Sequence, residues 1–579
     1  MYRDLLLILL LTLSFLNLKA QIIFNENAVD LGINKGYGSG FFGGGISFYD
    51  FNNDGWDDIT MATSWGDSIY FYQNNQGVFQ QIKPSLVTNT SEVNQILWVD
   101  YDNDGDNDLF VTSHNDLDKL YRNDGNLNMN DVTAAAGLSE IIEQSEGAAW
   151  GDYNNDGLPD LYISIYNDVT VSHANALYHN NGNGTFTNIA ETANVADIGK
   201  YPFQPLFTDF NSDGNQDIYI AMDRQDSNTV LENMGDGFFM DITQYCGGGL
   251  SMWAMCITPG DFDNDGDDDY YFSNLPNHGS KLVANLGNSF FEEIAEFANV
   301  DWQGLGWGSV FLDADLDGDL DLFQSGGHTG QNETKSSVFY ENSGDGTFFE
   351  SAYESFEFDT VQSFSNATGD INNDGFPDIV VSNGAGFNVS LWKNTSPTTN
   401  NYLKVKPVGV LSNRNGIGSR IYTFIDGVSQ YRYIYYGTGY LAQNKGYALF
   451  GLGQAELVDS VVIDWLSGKH DVLYNVEVNR MITVVEGDGI VGIPNKLKTQ
   501  IRIFPNPASN HLSIFNNGKT IRLINIDILY LNGIIIKSFD AHDLPKTLKL
   551  NISEIPSGVY LLRCVTNQGV FTEKLSIVR

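Results

Sequence analysis

The nonapeptide Asp100-Tyr101-Asp102-Asn103-Asp104-Gly105-Asp106-Asn107-Asp108 constrains this chain more than any other stretch, because its pattern returns six more times at nearly constant spacing. The copies begin at Asp50, Asp100, Asp152, Asp209, Asp261, Asp313 and Asp370, in steps of 50, 52, 57, 52, 52 and 57 residues. A period of this length builds an array of like units. Units of this size made of short strands match the blades of a propeller, so the chain is expected to be all-β with a seven-bladed β-propeller as its main body.

Within each copy the first, fifth and ninth positions are Asp, the third is Asp or Asn, and the sixth is Gly. Oxygen donors at alternate positions of a tight loop face one side, and the Gly permits a left-handed turn that brings the ninth residue back. The expected ligand sets are Asp50, Asn52, Asp54 and Asp58; Asp100, Asp102, Asp104 and Asp108; Asp152, Asn154, Asp156 and Asp160; and Asp209, Asn211, Asp213 and Asp217. The last three sets are Asp261, Asp263, Asp265 and Asp269; Asp313, Asp315, Asp317 and Asp321; and Asp370, Asn372, Asp374 and Asp378. With only carboxylate and amide oxygens and no His or Cys, such loops suit a hard cation, calcium before magnesium, and up to seven ions.

An EF-hand loop would carry a bidentate Glu at position twelve. Here that position holds Met61, Val111, Ile163, Ile220, Phe272, Gln324 and Val381, so each loop runs directly into a strand such as Leu109-Phe110-Val111. Each site is therefore placed in a β-hairpin, where structural staples are a simpler reading than a calcium switch.

At the N-terminus an apolar run from Leu5 to Leu16 behind Arg3, then Leu18-Lys19-Ala20 before Gln21, reads as a cleaved signal peptide over 1–20. That run is too short for a membrane span, and no later stretch reaches the ~20 apolar residues one needs. The net charge of −43 argues against nucleic acid and anionic membranes as partners. Three Cys exclude a disulfide framework; Cys246 and Cys256 either pair or stay buried thiols, with Cys564 left over.

Downstream of each acidic loop comes a strand and turn, as in Tyr121-Arg122-Asn123-Asp124-Gly125 and Leu231-Glu232-Asn233-Met234-Gly235, where Asn and Gly supply the turn. A further strand is expected to open at Phe186, Phe238, Phe290 and Phe348, giving four strands per unit. Ile22-Ile23-Phe24-Asn25 looks like this last strand detached, and the seventh unit stops after Leu391-Trp392-Lys393-Asn394. The N-terminal strand is thus expected to complete the seventh blade and remove two exposed edges.

The loops from Asp50–Asp58 through Asp370–Asp378 resemble FG-GAP/VCBS repeats, a resemblance covering 21–397 that implies a seven-bladed propeller and leaves function open. Over 398–486 the run Ser412-Asn413-Arg414-Asn415-Gly416-Ile417-Gly418-Ser419-Arg420, then Gly437-Thr438-Gly439-Tyr440-Leu441, then Val462-Ile463-Asp464-Trp465, is similar to the ASPIC/UnbV domain. That family, shared with cartilage acidic proteins, implies extracellular interaction without a defined reaction. Arg414, Arg420 and Tyr440 offer a small anion or sugar site or, the reading favoured here, Gly-rich turns with a satisfied Arg network.

A linker is expected over 487–497, after which the charge changes sign, with eleven Lys/Arg against five Asp/Glu from Ile490 onward. Ile503-Phe504-Pro505-Asn506-Pro507-Ala508, Gly558-Val559-Tyr560-Leu561-Leu562-Arg563 and the ending Lys574-Leu575-Ser576-Ile577-Val578-Arg579 make 498–579 resemble a type A sorting domain of the type IX secretion system. That resemblance implies a C-terminal β-sandwich, the type IX machinery as a partner, and a secreted or cell-surface location on a Gram-negative cell.

Three functions compete: a binding or adhesion protein for an extracellular glycan or protein, a polysaccharide-degrading enzyme such as a lyase, and a structural surface component. Propeller alternation puts the acidic loops on one rim and Trp65, His114, Tyr166, Arg224, His278 and His328 on the other, a plausible glycan or carboxylate face. The chain holds no HExxH, GxSxG or P-loop motif, so binding is expected over catalysis, although His114 or His328 would be a lyase's base.

Overall fold

The computed structural model describes residues 21–579, apart from 39–42, 86–90, 139–140, 167–172, 198, 328–336, 352, 357–358, 385, 492–500, 517–522, 530–534, 541–546 and 567–568. The expected signal peptide, His328 and most of the expected linker lie outside the described residues.

Fully buried strands read as continuous apolar runs, and half-buried ones alternate. Each repeat shows this gradient. In the second, Val93–Val99 and Asp108–Ser113 are buried throughout, Lys119–Asn123 is partly exposed, and Met129–Asp131 buries only Met129. These four strands pair in chain order as one antiparallel sheet, and the acidic loop joins the first strand to the second. Seven such sheets occur among the described residues. Ile46–Tyr49 touches both Val93–Val99 and Ser363–Gly369, the first strands of the second and seventh sheets, so the row of sheets returns on itself.

The N-terminal strand Phe24–Glu26 pairs antiparallel with Ser390–Asn394, Phe24 opposite Asn394, and supplies the fourth strand of the seventh sheet. Its Phe24 is buried against Phe339 and Phe356, the latter on a single helical turn, Tyr353–Phe356.

In two repeats the outer strand starts one residue later than the sequence suggests. It opens at Phe239 and Phe291, each paired opposite the turn Asn and buried, so Phe238 and Phe290 stand outside it at 45 % and 59 % exposure. Both repeats double the aromatic, and the inward position takes the second ring.

The next domain has two sheets. One orders Ala448–Gly451, Tyr402–Val408, Arg480–Val485 and Gly489–Val491; the other orders Val428–Tyr433, Arg420–Ile425, Leu457–Asp464 and His470–Glu477. Gly489–Val491 forms a hairpin with Arg480–Val485, turning at Gly487 with φ 78°, so the domain extends five residues into the expected linker. The C-terminal region has a three-stranded and a four-stranded sheet sharing one core of Leu512, Ile514, Ile526, Ile528, Leu550, Leu562 and Cys564. Cys246 and Cys256 are free buried thiols, and Cys564 is buried in the C-terminal core.

Candidate metal centres and the channel they surround

The acidic loops repeat their geometry as well as their sequence. Positions four and six both take left-handed backbone, as at Asn103 (φ 58°) and Gly105 (φ 104°), which wraps the loop tightly enough for its own amides to reach the first Asp. In six loops that Asp accepts from the N–H groups of positions five and six, as Asp100 does from Asp104 (2.9 Å) and Gly105 (2.8 Å). The fifth loop departs from this: both oxygens of buried Asp261 lack a hydrogen-bond partner.

The ninth Asp is fixed in every copy by the N–H of an Asn at the end of the third strand. The pairs are Asn74 to Asp58, Asn123 to Asp108, Asn180 to Asp160, Asn233 to Asp217, Asn285 to Asp269, Asn342 to Asp321 and Asn394 to Asp378, all at 2.7–2.9 Å. The sequence reading took these Asn residues for turn formers only. Their side-chain amides do more, because six of them reach the loop of the preceding sheet, as Asn233 does to Tyr153 O (2.7 Å). Their presence in all seven copies was the available signal.

A second belt runs round the rim. Asn53, Asn103, Asn155, Asn264 and Asn373 donate to the loop Gly carbonyl of the next sheet, and Asn373 to Gly55 (2.9 Å) joins the seventh loop to the first.

The donor set fits a hard divalent cation. Carboxylate oxygens converge within 4.8 Å in Asp100/Asp102/Asp108, Asp261/Asp263/Asp265 and Asp313/Asp315/Asp317. Buried oxygens without partners include Asp58 Oδ2, Asp102 Oδ1, Asp160 Oδ2, Asp269 Oδ2 and Asn372 Oδ1. Burial, then repulsion from carboxylates of the same loop, pushes Asp58 and Asp108 up to about 9 and holds Asp217, Asp269, Asp321 and Asp378 well above the usual carboxylate range. Such carboxylates ionise when a cation sits among them.

The ASPIC-like domain lies on this rim. Lys404 Nζ is 2.6 Å from Asp370 Oδ2 with both side chains almost wholly buried, and Arg420 Nη2 is 2.8 Å from Asp209 Oδ2. Lys406 and Arg414 stand 3.6 and 3.7 Å from Asp50 and Asp100. Half-buried Arg432 acts electrostatically on Asp261 and Asp313. In each case the cation faces the first Asp of a loop. At the remaining loop, a Cβ on Gly157 would meet Leu411 O at 2.1 Å. The Leu411 turn is held by Glu486, whose Oε2 accepts from Val410, Leu411 and Ser412 N–H at 2.7–2.8 Å.

From this domain Tyr436–Lys445 runs down the channel along the first strands of the sheets. It bridges Trp150 at Tyr436 and Ile257 at Gly439, pairs in parallel with Ile46 and Ser47 through Ala442 and Gln443, and accepts from Trp98 and Thr368 N–H through Gln443 and Asn444. Gln443 Nε2 returns a bond to Trp98 O (2.7 Å). Close passage explains the glycines, since a Cβ on Gly437 or Gly45 would strike Ala148 O (2.4 Å) or Leu441 O (2.3 Å). At the far end Tyr440 is fully buried among Phe203, Trp307, Met255, Cys256 and Phe364.

Arg414, Arg420 and Tyr440 therefore do not form one site: the arginines meet acidic loops and Tyr440 closes the channel. The expected ligand face is also only partly gathered. Arg224 lies over the rings of Tyr201 (4.4 Å) and buried Tyr166 (5.4 Å), whose hydroxyl donates to Asp223 (2.7 Å). His114 Nδ1 is 2.9 Å from Oε1 of buried Glu146, and the rings of His278 and Trp253 meet at a tilt of 54° with centroids 4.8 Å apart. Trp65 is 69 % exposed in a separate turn. Sequence reasoning missed Glu146, Asp223 and Tyr201, which no repeated pattern marks.

Rim, channel and export region together define an exported propeller built from FG-GAP-like repeats. Residues 50–111, 100–163, 166–220 and 209–272 match the FG-GAP-like repeat model, 364–398 the FG-GAP repeat, 409–491 ASPIC and UnbV, and 502–578 the secretion system C-terminal sorting domain. The chain thus carries all three, and the type IX sorting domain directs it to the cell surface or extracellular space. No described helix is long and apolar enough to cross a membrane.

Cartilage acidic protein 1 of Mus musculus is 27 % identical over 373 residues, covering 62 % of this chain and 48 % of its own length, and the Homo sapiens protein gives 27 %, 62 % and 46 %. The chain spans about half the length of the curated relatives it matches. A solved structure, the Dos1 propeller, aligns with a TM-score of 0.37 at 9 % identity, covering 64 % of this chain and 96 % of that one.

Proposed function

We propose that this is an exported seven-bladed propeller, stapled by up to seven calcium ions, that binds an extracellular glycan or protein on the face opposite its metal rim. The observation behind this is the covered rim: the ASPIC/UnbV domain touches all seven loops and fills the channel, so among the described residues the opposite mouth is the rim that domain leaves uncovered. That mouth carries Arg224 over two tyrosines, the His114–Glu146 pair and Trp253 against His278, a mixture of aromatic faces and charges suited to sugars. Calcium would be held by positions one, three, five and nine of each loop and would supply structural charge neutralisation.

The test is retention of the purified chain on a panel of extracellular polysaccharides and matrix proteins, with calcium or chelator, scoring product release in parallel. Calcium-dependent retention that falls in an Arg224→Ala variant supports the reading. Shortened or unsaturated products would replace it with the lyase reading, with His114, oriented by Glu146, as the base to test.

A further inference from the structure

The doubled aromatic in the fourth and fifth sheets, Phe238-Phe239 and Phe290-Phe291, turns its first ring to the protein surface. After the turn Asn, the other sheets place Asn75, Asp124, Asn181 and Ser343, while these two place Met234 and Leu286, 49 % and 59 % exposed. Just before the buried outer-strand residue the second, third and sixth sheets have Asn128, Thr185 and Thr347, and the first and seventh Val78 and Ile23, against Phe238 and Phe290 here. In the turn after the outer strand, Ala135 and Thr192 are replaced by Tyr245 and Phe297, 82 % and 71 % exposed.

Three equivalent positions are therefore apolar in two adjacent sheets. The two edges are contiguous, because Phe291 N–H donates to Cys246 O at 2.8 Å and seats the fifth sheet's outer strand against the turn that bears Tyr245. A solvent-facing sheet edge is normally blunted with charge, and a contiguous apolar patch of this kind marks an interaction surface.

We propose that this edge docks a polypeptide segment that presents apolar side chains flanked by Lys or Arg. The charge around the patch selects that chemistry. Exposed Asp236, Asp241, Glu292 and Glu296 border it, and none has an ion pair among the described residues. A second copy of this chain would bring the same acids together, and the net charge of −43 opposes that approach. Apolar anchors ringed by charges that a basic partner satisfies give both affinity and orientation.

The experiment uses the full mature chain with calcium and three synthetic peptides of equal length: a Leu/Lys amphipathic sequence, its Ser/Lys counterpart and its Leu/Glu counterpart. The variants are Phe238→Thr with Phe290→Thr, which install the residues found in the third and sixth sheets, and Met234→Asn with Leu286→Ser. The Leu/Lys peptide is expected to bind, at least tenfold more weakly to either variant, and the other two peptides to bind at least tenfold more weakly to the parent. Equal binding of parent and variants, or of Leu/Lys and Ser/Lys peptides, overturns the proposal. So does a concentration-dependent dimer in sedimentation that the substitutions dissolve, which would assign the edge to self-association, or polysaccharide retention lost with them. Melting curves identify any variant that fails to fold; the second pair then repeats the test at different positions.

Discussion

The two rims of this propeller differ in kind. On the acidic rim, residues recur in every copy, the backbone turns identically, and cations from the second domain meet the first Asp of most loops. On the opposite rim no residue recurs among those described: Trp65, His114, Tyr166, Arg224 and His278 occupy unlike loops with unlike partners. Repetition goes with a shared structural task, and irregularity is where a ligand-specific surface can form.

The sharpest way to break that comparison is to withhold divalent cations from the acidic loops. Ions bound only by the folded state stabilise it by roughly 4 kcal/mol each at a thousandfold excess over Kd. Chelation is therefore expected to lower the unfolding temperature of the mature chain by far more than any single substitution, with calcium restoring it. An unchanged temperature, with elemental analysis showing no retained metal, would reduce the repeated loops to solvated turns.

Next in size are the contacts that tie the second domain to the rim. Lys404→Met leaves Asp370 buried without its partner, a loss of about 3–5 kcal/mol for a broken buried pair. The loss is expected to be larger in chelator than in calcium, since calcium gives Asp370 another counterion; equal losses would deny the seventh loop a metal. Tyr440→Ala, emptying the channel's end, should cost about 3–5 kcal/mol in both conditions.

Asn233→Ala is expected to cost less, about 1–3 kcal/mol, by stranding the buried Tyr153 and Gln216 carbonyls. Denaturant unfolding measures it, and a neutral result would return this Asn to the turn-forming role read from sequence.

The sheets, their number and the acidic loops were legible because they repeat. Seven copies of one pattern reveal a period that a single copy cannot, and the stray Ile22–Asn25 strand was visible as the missing piece of the seventh. The docking of the second domain was not legible. Lys404, Arg414, Arg420 and Arg432 look like ordinary surface cations of a β-domain, and their partners lie far off in sequence. Nor did Gly437–Leu441 announce itself as a channel filler, because glycine records that backbone comes close without saying which backbone. The inward choice of Phe239 and Phe291 over Phe238 and Phe290 escaped for a simpler reason: two adjacent phenylalanines fit a strand equally well until packing selects one.

The smallest expected effect lies on the irregular rim and concerns pH. The hydrogen bond that His114 donates to Glu146 raises the His114 pKa above its usual value, against burial, with further help from the charges of Glu146 and Glu92. Burial raises Glu146 as well, against the pull of His114. Both groups hold protons more tightly in the folded state than in the unfolded chain, so both act in one direction. The stability His114 contributes is complete below its unfolded value of about 6.5 and is lost as pH rises through its higher folded value. In excess calcium, which would keep the loop carboxylates ionised, the pair should therefore make unfolding easier as pH rises from about 6 to 8, by on the order of 1 kcal/mol. Glu146→Gln should flatten that slope, and His114→Gln should do the same, whereas substitutions on the metal rim should leave it in place. A slope that survives both changes would place the titrating group elsewhere and remove the reason for regarding His114 and Glu146 as one unit.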